Sequence, residues 1–394
     1  MEYIRLGIVG IGNIGSMHTT NVYQNLVEGM KLTAVCDSRE SRLEWCRSQF
    51  PGISLYTDYK EMFQSGELDA VIISVPHRQH AEIAMDALAA GLHVLVEKPI
   101  DVTVTQAQKL NEAAKQSDRV FAIMFNQRTN LLFQKAREIV QGGLLGELKR
   151  SVWIITNWYR TQHYYDSGEW RATWKGEGGG VLLNQAPHNL DLWQWICGMP
   201  VSIRAFCDVA KYHRIEVEDE ATIYAKYANG ATGVFITSTG EYPGTNRLEI
   251  SGDKGKIVLE NSTLKWWRLP KREREICYES EENFPVIECE YEEFKLEEKE
   301  SGHLGIVQNF ANAILHGEQL ISPGFDGIYE LSISNAAYLS EWSGNAEITM
   351  PLDSARFDSL LEERSAHSEI HTGAKPAQAE SSDAGNSKRW QIRW

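Results

Sequence analysis

Three places in the chain hold residues whose types and spacing suit chemistry. The first is Gly10-Ile11-Gly12-Asn13-Ile14-Gly15, which follows the apolar run Leu6–Val9 and opens a helical pattern. Gly10 permits a tight turn, Gly12 lets the backbone approach a pyrophosphate, and Gly15 allows close helix packing. The backbone around Asn13 and Ile14 then offers its free N–H groups to phosphates. Asp37, with Ser38 beside it, ends the next apolar run. A carboxylate there accepts hydrogen bonds from both ribose hydroxyls and repels a 2′-phosphate, which favours NAD; Arg39 is the group that would admit NADP instead. The second place is Glu97-Lys98-Pro99, closing the run His93–Val96. Ligands bind at that edge of an open α/β sheet. Partial burial and a cationic nicotinamide both disfavour a charged lysine, so Lys98 suits hydrogen bonding to a substrate hydroxyl and carrying its proton. The third is Pro187-His188. Proline fits the first helical position and sets His188 in the first turn, where the positive end of the helix dipole favours a neutral, proton-accepting imidazole.

The surrounding pattern supplies the scaffold. Residues 6–9, 32–36, 70–75, 93–96 and 120–125 are continuous apolar runs, as in strands covered on both faces. A helical face of Ile83, Ala84, Ala87 and Leu88 lies between the third and fourth, and Gly91 stops it. Strand, helix, strand in repetition predicts βαβ units and a doubly wound sheet. After about residue 128 the pattern changes. A helix over 129–141 ends at Gly142-Gly143, and a strand follows near 148–157. Alternating strands fit 201–209, 221–228, 231–237, 246–251, 256–260 and 264–268, with Asn229-Gly230 as a hairpin turn. Helices are expected near 303–317 and 326–342. Ala186, Leu190, Trp193 and Cys197 form a buried stripe behind His188. The acidic segments 279–282 and 290–300 read as solvated faces. The expected architecture is α/β: a parallel sheet in 1–127, a second α/β domain with a large open, mainly antiparallel sheet in 128–360, and a tail in 361–394.

These motifs, together with Pro76–His80, Ala90–Pro99 and the segment from Gly178-Gly179-Gly180 to Gly198, resemble the glucose-fructose oxidoreductase/inositol dehydrogenase (Gfo/Idh/MocA) family over residues 3–350. The resemblance implies a Rossmann domain, a nicotinamide cofactor, reaction at a carbinol of a sugar or cyclitol, and oligomers built through the second sheet, as homodimer or homotetramer. It carries the catalytic roles onto Lys98 and His188. It also places Pro76, His80, Glu97, Asn126, Trp170 and Arg171 at the cofactor, and Arg128, Tyr159 and His163 beside Lys98, Asn184 and His188 at the substrate. One position departs from the family. Asn184 stands where its carboxylate is usual, so the Lys-Asp-His arrangement becomes Lys98-Asn184-His188. An amide can orient a histidine but cannot share its proton. Either Lys98 and His188 suffice, or Asp166, Glu169, Glu177 or Asp191 substitutes.

Composition narrows the partners. A formal charge of −15 disfavours nucleic acid and anionic membranes. Six cysteines without a CxxC pair suggest reduced thiols, and no metal is expected. The start of the chain lacks a signal-peptide pattern, which points to the cytoplasm. The aromatic-rich segments 158–165 and 169–174 suit a carbohydrate pocket. The expected activity is hydride transfer between a secondary hydroxyl of a sugar, glycoside or cyclitol and NAD. The alternatives are an NAD-dependent glycosidase working by transient C3 oxidation and elimination, and a non-catalytic sensor that keeps the cofactor.

Overall fold

A computed structural model of the chain describes residues 2–296 and 301–368. The apolar runs at the N-terminal end become β1 (Ile4–Val9), β2 (Met30–Cys36), β3 (Ser54–Tyr56), β4 (Ala70–Ile73), β5 (His93–Val96) and β6 (Phe121–Ile123). They form a six-stranded parallel sheet in the order β3-β2-β1-β4-β5-β6. β4 is buried along its whole length, which is why its residues are continuously apolar and not alternating. β3 escapes the sequence reading because three half-buried residues carry no pattern.

The remaining strands are β7 (Leu148–Ile155), β8 (Ser202–Val209), β9 (Glu218–Lys226), β10 (Thr232–Ser238), β11 (Asn246–Gly252), β12 (Gly255–Glu260), β13 (Thr263–Arg268), β14 (Glu290–Lys295) and β15 (Ile348–Thr349). They make a nine-stranded sheet in the order β14-β13-β12-β11-β7-β10-β9-β8-β15. All neighbours are antiparallel except β7 with β10. Alternation holds here: Ile203, Ala205, Ile223 and Phe235 are buried, while Phe206 and Tyr224 on the other face are exposed.

Two helices fill the buried face. Pro187–Cys197 lies on β7 through Trp193, whose Nε1 donates to Ser151 Oγ at 2.9 Å. Gly327–Trp342 packs on β8, on the helix Pro187–Cys197 and on the helix Val104–Lys115. It therefore touches both sheets' layers and ties the site's floor to its wall.

The acidic stretch 290–295 has its charges at the surface, as expected, and forms an edge strand, β14, with Phe294 packed on the core; 297–300 fall outside the described residues. One expectation needs correction. The expected tail from 361 is helical at its start, because Ser354–Ala366 forms a helix capped by Asp353 and buried through Phe357 and Leu361. The rest of the expected tail, 369–394, lies outside the described residues. Among the described residues, no helix is long and apolar enough to cross a membrane.

Candidate active site

The glycine turn leads from β1 into the helix Asn13–Tyr23. A Cβ on Gly15 would lie 1.8 Å from the Gly10 carbonyl oxygen, so only glycine lets the turn close on the helix. A Cβ on Gly12 would meet nothing within 4 Å. That open space stands before a helix N-terminus whose cap makes no side-chain hydrogen bond, and a pyrophosphate fits such a cradle. Asn13 and Ser38 are exposed and Ile14 is half-buried along it. Asp37 Oδ2 accepts from Ile11 N at 2.8 Å, and Arg39 Nε approaches Oδ1 at 3.1 Å. Burial pushes the Asp37 carboxyl up, but the Arg39 guanidinium and the amides of Arg39 and Ile11 outweigh it and hold it below its ordinary value. Asp37 is thus an anion at the end of β2, where a carboxylate can sort a ribose from a ribose 2′-phosphate.

At the C-terminal end of β5, Glu97 points back under the sheet. Its Oε1 meets His18 Nε2 at 3.0 Å, and the pair is buried, so Glu97 anchors the strand end and presents no free carboxylate to a ligand. Burial raises this carboxyl, yet the hydrogen bond and charge of His18 carry it below its usual range. His80, expected at the cofactor, is likewise a buried strut: its ring nitrogens lie 2.7 Å from the Pro99 carbonyl oxygen and 2.8 Å from that of Val75. Pro76 is exposed at the start of that turn. Asn126, just past β6, is buried with its Oδ1 unpartnered among the described residues.

The second domain delivers the other half of the site through the glycine run at 178–180. Glu218, opening β9, accepts from the amides of Gly180 and Leu182, both at 2.9 Å. Tyr338 donates to the same carboxylate at 2.8 Å. A Cβ on Gly180 would sit 1.9 Å from the Glu218 carbonyl oxygen, so the loop passes only as glycine. Burial raises the Glu218 carboxyl to about 7, against the pull of Leu182 N–H and Tyr338. Sequence reasoning misses both Glu218 and Tyr338, since they lie 38 and 158 positions from Gly180.

This clamped loop brings Asn184 and His188 to Lys98. Lys98 Nζ crosses between domains and donates to the Asn184 carbonyl oxygen at 2.7 Å. Burial lowers the Lys98 ammonium below the ordinary lysine range, opposed by Glu97, Glu330 and Glu177. His188 is buried, and its Nδ1 has no partner among the described residues. Burial first, then Lys98 and His303, hold its imidazole well below its usual pKa, so it is neutral. A neutral base whose Nδ1 is unpartnered among the described residues, and a lysine near enough to act on it electrostatically, can take and relay a hydroxyl proton.

Of the four candidate acids, Glu177 is the one in contact with Asn184. Asn184 Nδ2 donates directly to Glu177 Oε1, whose other oxygen accepts from Ala172 N at 2.6 Å. Arg171 Nη1 stands 3.9 Å away. Burial raises the Glu177 carboxyl, opposed by Arg171, the Ala172 amide and Asn184. Of the other three candidates, Asp166 and Glu169 are exposed, and Asp191 is taken by Arg128.

Arg128 corrects the sequence reading. Expected at the substrate, it is fully buried, with Nε and Nη2 on Asp191 at 2.8 and 2.6 Å and Nη1 on Asp326 at 2.6 Å. It is a structural ion-pair node beneath the cleft. The aromatic loop is also re-assigned. Tyr159 is exposed against Tyr242, and His163 is exposed. In the one-turn helix Gln162–Tyr165 successive residues point about 100° apart: Tyr165 is buried, and Tyr164, half-buried, turns its hydroxyl toward Arg171 and Gln185. Its hydroxyl accepts from Arg171 Nη1 at 2.8 Å and Gln185 Nε2 at 3.2 Å. Trp170 packs edge-on to His77, with ring centroids 5.6 Å apart, and Arg171 covers both Trp170 and Tyr164.

With this geometry in place, comparison with known proteins is direct. Residues 4–125 match the oxidoreductase family GFO/IDH/MocA, NAD-binding Rossmann fold, and residues 133–258 match the GFO/IDH/MocA C-terminal domain. A myo-inositol 2-dehydrogenase of Thermotoga maritima is 26% identical over 340 residues, covering 85% of this chain and 95% of that protein. A D-glucoside 3-dehydrogenase of Escherichia coli is 31% identical over 199 residues, 50% of this chain and 55% of that one. The WlbA dehydrogenase from Bordetella pertussis, solved with NADH and UDP-GlcNAcA, superimposes with a TM-score of 0.74 at 25% identity, covering 89% of this chain and 100% of that one.

Proposed function

Because the chain belongs to the Gfo/Idh/MocA family of NAD-binding oxidoreductases, we propose that it oxidises a secondary hydroxyl of a sugar, glycoside or cyclitol. Bound NAD supplies the hydride acceptor. Gly10, Gly12 and Gly15 cradle its pyrophosphate and Asp37 takes its ribose. His188 accepts the hydroxyl proton, and Lys98 polarises the oxygen and passes the proton on. Asn184 does not ionise; it orients the Lys98 end of the site through its carbonyl and is itself held by Glu177. Tyr164, Arg171 and Gln185 form one hydrogen-bonded group on the substrate side. The observation that carries this reading is the bond between Lys98 Nζ and the Asn184 carbonyl oxygen at 2.7 Å, with neutral His188, whose Nδ1 has no partner among the described residues, four residues further along the chain.

The domains divide the work: residues 1–127 bind the cofactor, and 128–360 bind the substrate and build a homodimer or homotetramer through the open sheet face, where Phe206 is 53% exposed. The test is a panel of polyols, sugars and glycosides followed by NADH absorbance. NADH formation with a secondary alcohol supports the proposal. Free reducing sugar from a glycoside with no net NADH would replace it with eliminative glycoside cleavage. NAD binding without reduction by any member of the panel would replace it with a cofactor-binding sensor.

A further inference from the structure

Glu330 is a carboxyl that the chemistry above leaves unused. It lies one turn into the helix Gly327–Trp342, it is fully buried, and neither oxygen has a hydrogen-bond partner among the described residues. A buried acid with both oxygens unpaired is costly, and folded chains seldom keep one without a use. Its position is close to the reacting groups. The preceding turn packs on the segment after Lys98: a Cβ on Gly327 would sit 2.8 Å from Ile100 Cβ. Further along, Asn335 is pinned to the same segment, accepting from Val104 N and donating to the Val102 carbonyl, both at 3.1 Å. Glu330 lies between these two fixed points.

The charged groups facing it come from two elements. From the end of β5 comes Lys98, and the two act on each other electrostatically. From the helix Pro187–Cys197 comes Asp191, which shares the Arg128 guanidinium with Asp326. His188, on that same helix, feels Lys98. Burial, with Asp191 behind it, raises the Glu330 carboxyl well above its ordinary value, and Lys98 opposes them. Fully buried and with neither oxygen hydrogen-bonded among the described residues, Glu330 rests as a neutral acid.

We propose that Glu330 is the proton-holding partner of Lys98: it releases its proton when the cationic nicotinamide enters beside Lys98, and takes one back when a substrate hydroxyl is oxidised. A positive ring beside an ammonium in a buried site demands an anion, and Glu330 is a buried carboxyl near Lys98 with neither oxygen hydrogen-bonded among the described residues. During oxidation the carbinol C–H bond breaks, and its electron pair leaves with the hydrogen for the cofactor. The O–H bond breaks, and that proton goes to His188. Lys98 hands one of its protons, through one water, to a Glu330 oxygen and recovers one from His188. One proton has left oxygen, one has arrived at Glu330, and Lys98 and His188 end as they began. Glu330 acts through Lys98 and touches neither substrate nor cofactor, so it is a positioning residue.

The role during turnover rests on the dehydrogenase reading, whereas the role in cofactor binding does not. The test needs no substrate: NAD⁺ and NADH are titrated into weakly buffered protein near neutral pH, and proton release is read with an indicator dye. Wild type is expected to release a proton fraction approaching one per site with NAD⁺ and close to none with NADH. Glu330→Gln, isosteric with the neutral acid, is expected to fold with an unfolding midpoint at pH 8 at or above wild type. It should also lose most of the release and the infrared band of a protonated carboxyl. Glu330→Asp is expected to restore part of the release. Equal release by wild type and Glu330→Gln would overturn the proposal and assign the proton to Lys98, and so would absence of release in wild type. If release occurs but no panel alcohol reduces NAD⁺, the dehydrogenase reading fails while the pairing of Glu330 with Lys98 stands.

Discussion

Replacing Asn184 by aspartate restores the side chain that the family resemblance leads one to expect, and the structure says it will harm this protein. Half-buried Asn184 donates through Nδ2 to Oε1 of buried Glu177, so Asn184→Asp would set two carboxylates against each other. Two unit charges about 4 Å apart at an effective dielectric constant near 20 repel by roughly 4 kcal/mol. The alternative is to keep one acid protonated, which at pH 7 costs about 1.4 kcal/mol for each pH unit above an ordinary value near 4, again roughly 4 kcal/mol. The pair's folded-state pKa is raised, so the penalty is absent in acid below the unfolded value and grows as pH rises toward neutrality. Urea unfolding should therefore show Asn184→Asp destabilised by roughly 3–4 kcal/mol at pH 7 and nearly wild-type at pH 4. Adding Glu177→Gln should recover most of the loss. The amide it introduces can donate to the new carboxylate at position 184 through its nitrogen, and its oxygen can still accept from Ala172 N, as the Glu177 carboxylate does at 2.6 Å. A single variant that loses less than about 1 kcal/mol at pH 7, or a double variant no better than the single one, would refute the reasoning.

Other sites make separate predictions. Arg128→Met leaves Asp191 buried without its partner, and should lower stability by roughly 3–5 kcal/mol in urea unfolding while the KM of the surviving folded fraction stays within about twofold; a stable variant with a large rise in KM would return Arg128 to the substrate. Asp37→Ser should weaken NAD by about ten- to a hundredfold in fluorescence titration and narrow its advantage over NADP, because it removes the anion and frees the Arg39 guanidinium now at 3.1 Å from it; unchanged NAD affinity would show that Asp37 does not read the ribose.

Much of the candidate site is legible in the sequence because its motifs are local. The glycine turn, Asp37, Lys98 at a strand end and His188 after a proline each occupy a few consecutive residues, and backbone chemistry alone gives them meaning. The strands around them are legible for the same reason, since burial on one face or both writes itself into hydrophobic order. What was not legible depends on partners far apart in the chain. Arg128 reads as a cleft residue until Asp191 and Asp326, 63 and 198 positions away, close around it. Glu177 is one of four equivalent acids until the fold sets it against Asn184. Tyr164, and not Tyr159 or His163, joins the candidate site because its hydroxyl meets Arg171 and Gln185, partners 7 and 21 positions away that the sequence does not point to. Glu218 and Glu330 sit in a strand and a helix with no motif around them, and only burial distinguishes them from the many surface acids.

The central claim is that Lys98 and His188 act together on one substrate oxygen beside bound NAD. It is tested most directly by measuring turnover and cofactor affinity in parallel for Lys98→Met and His188→Ala, with whichever panel alcohol reduces NAD in wild type. Each variant should lose about a hundred- to ten-thousandfold in kcat while its calorimetric Kd for NAD stays within about threefold of wild type. Turnover that survives either substitution intact would contradict the account.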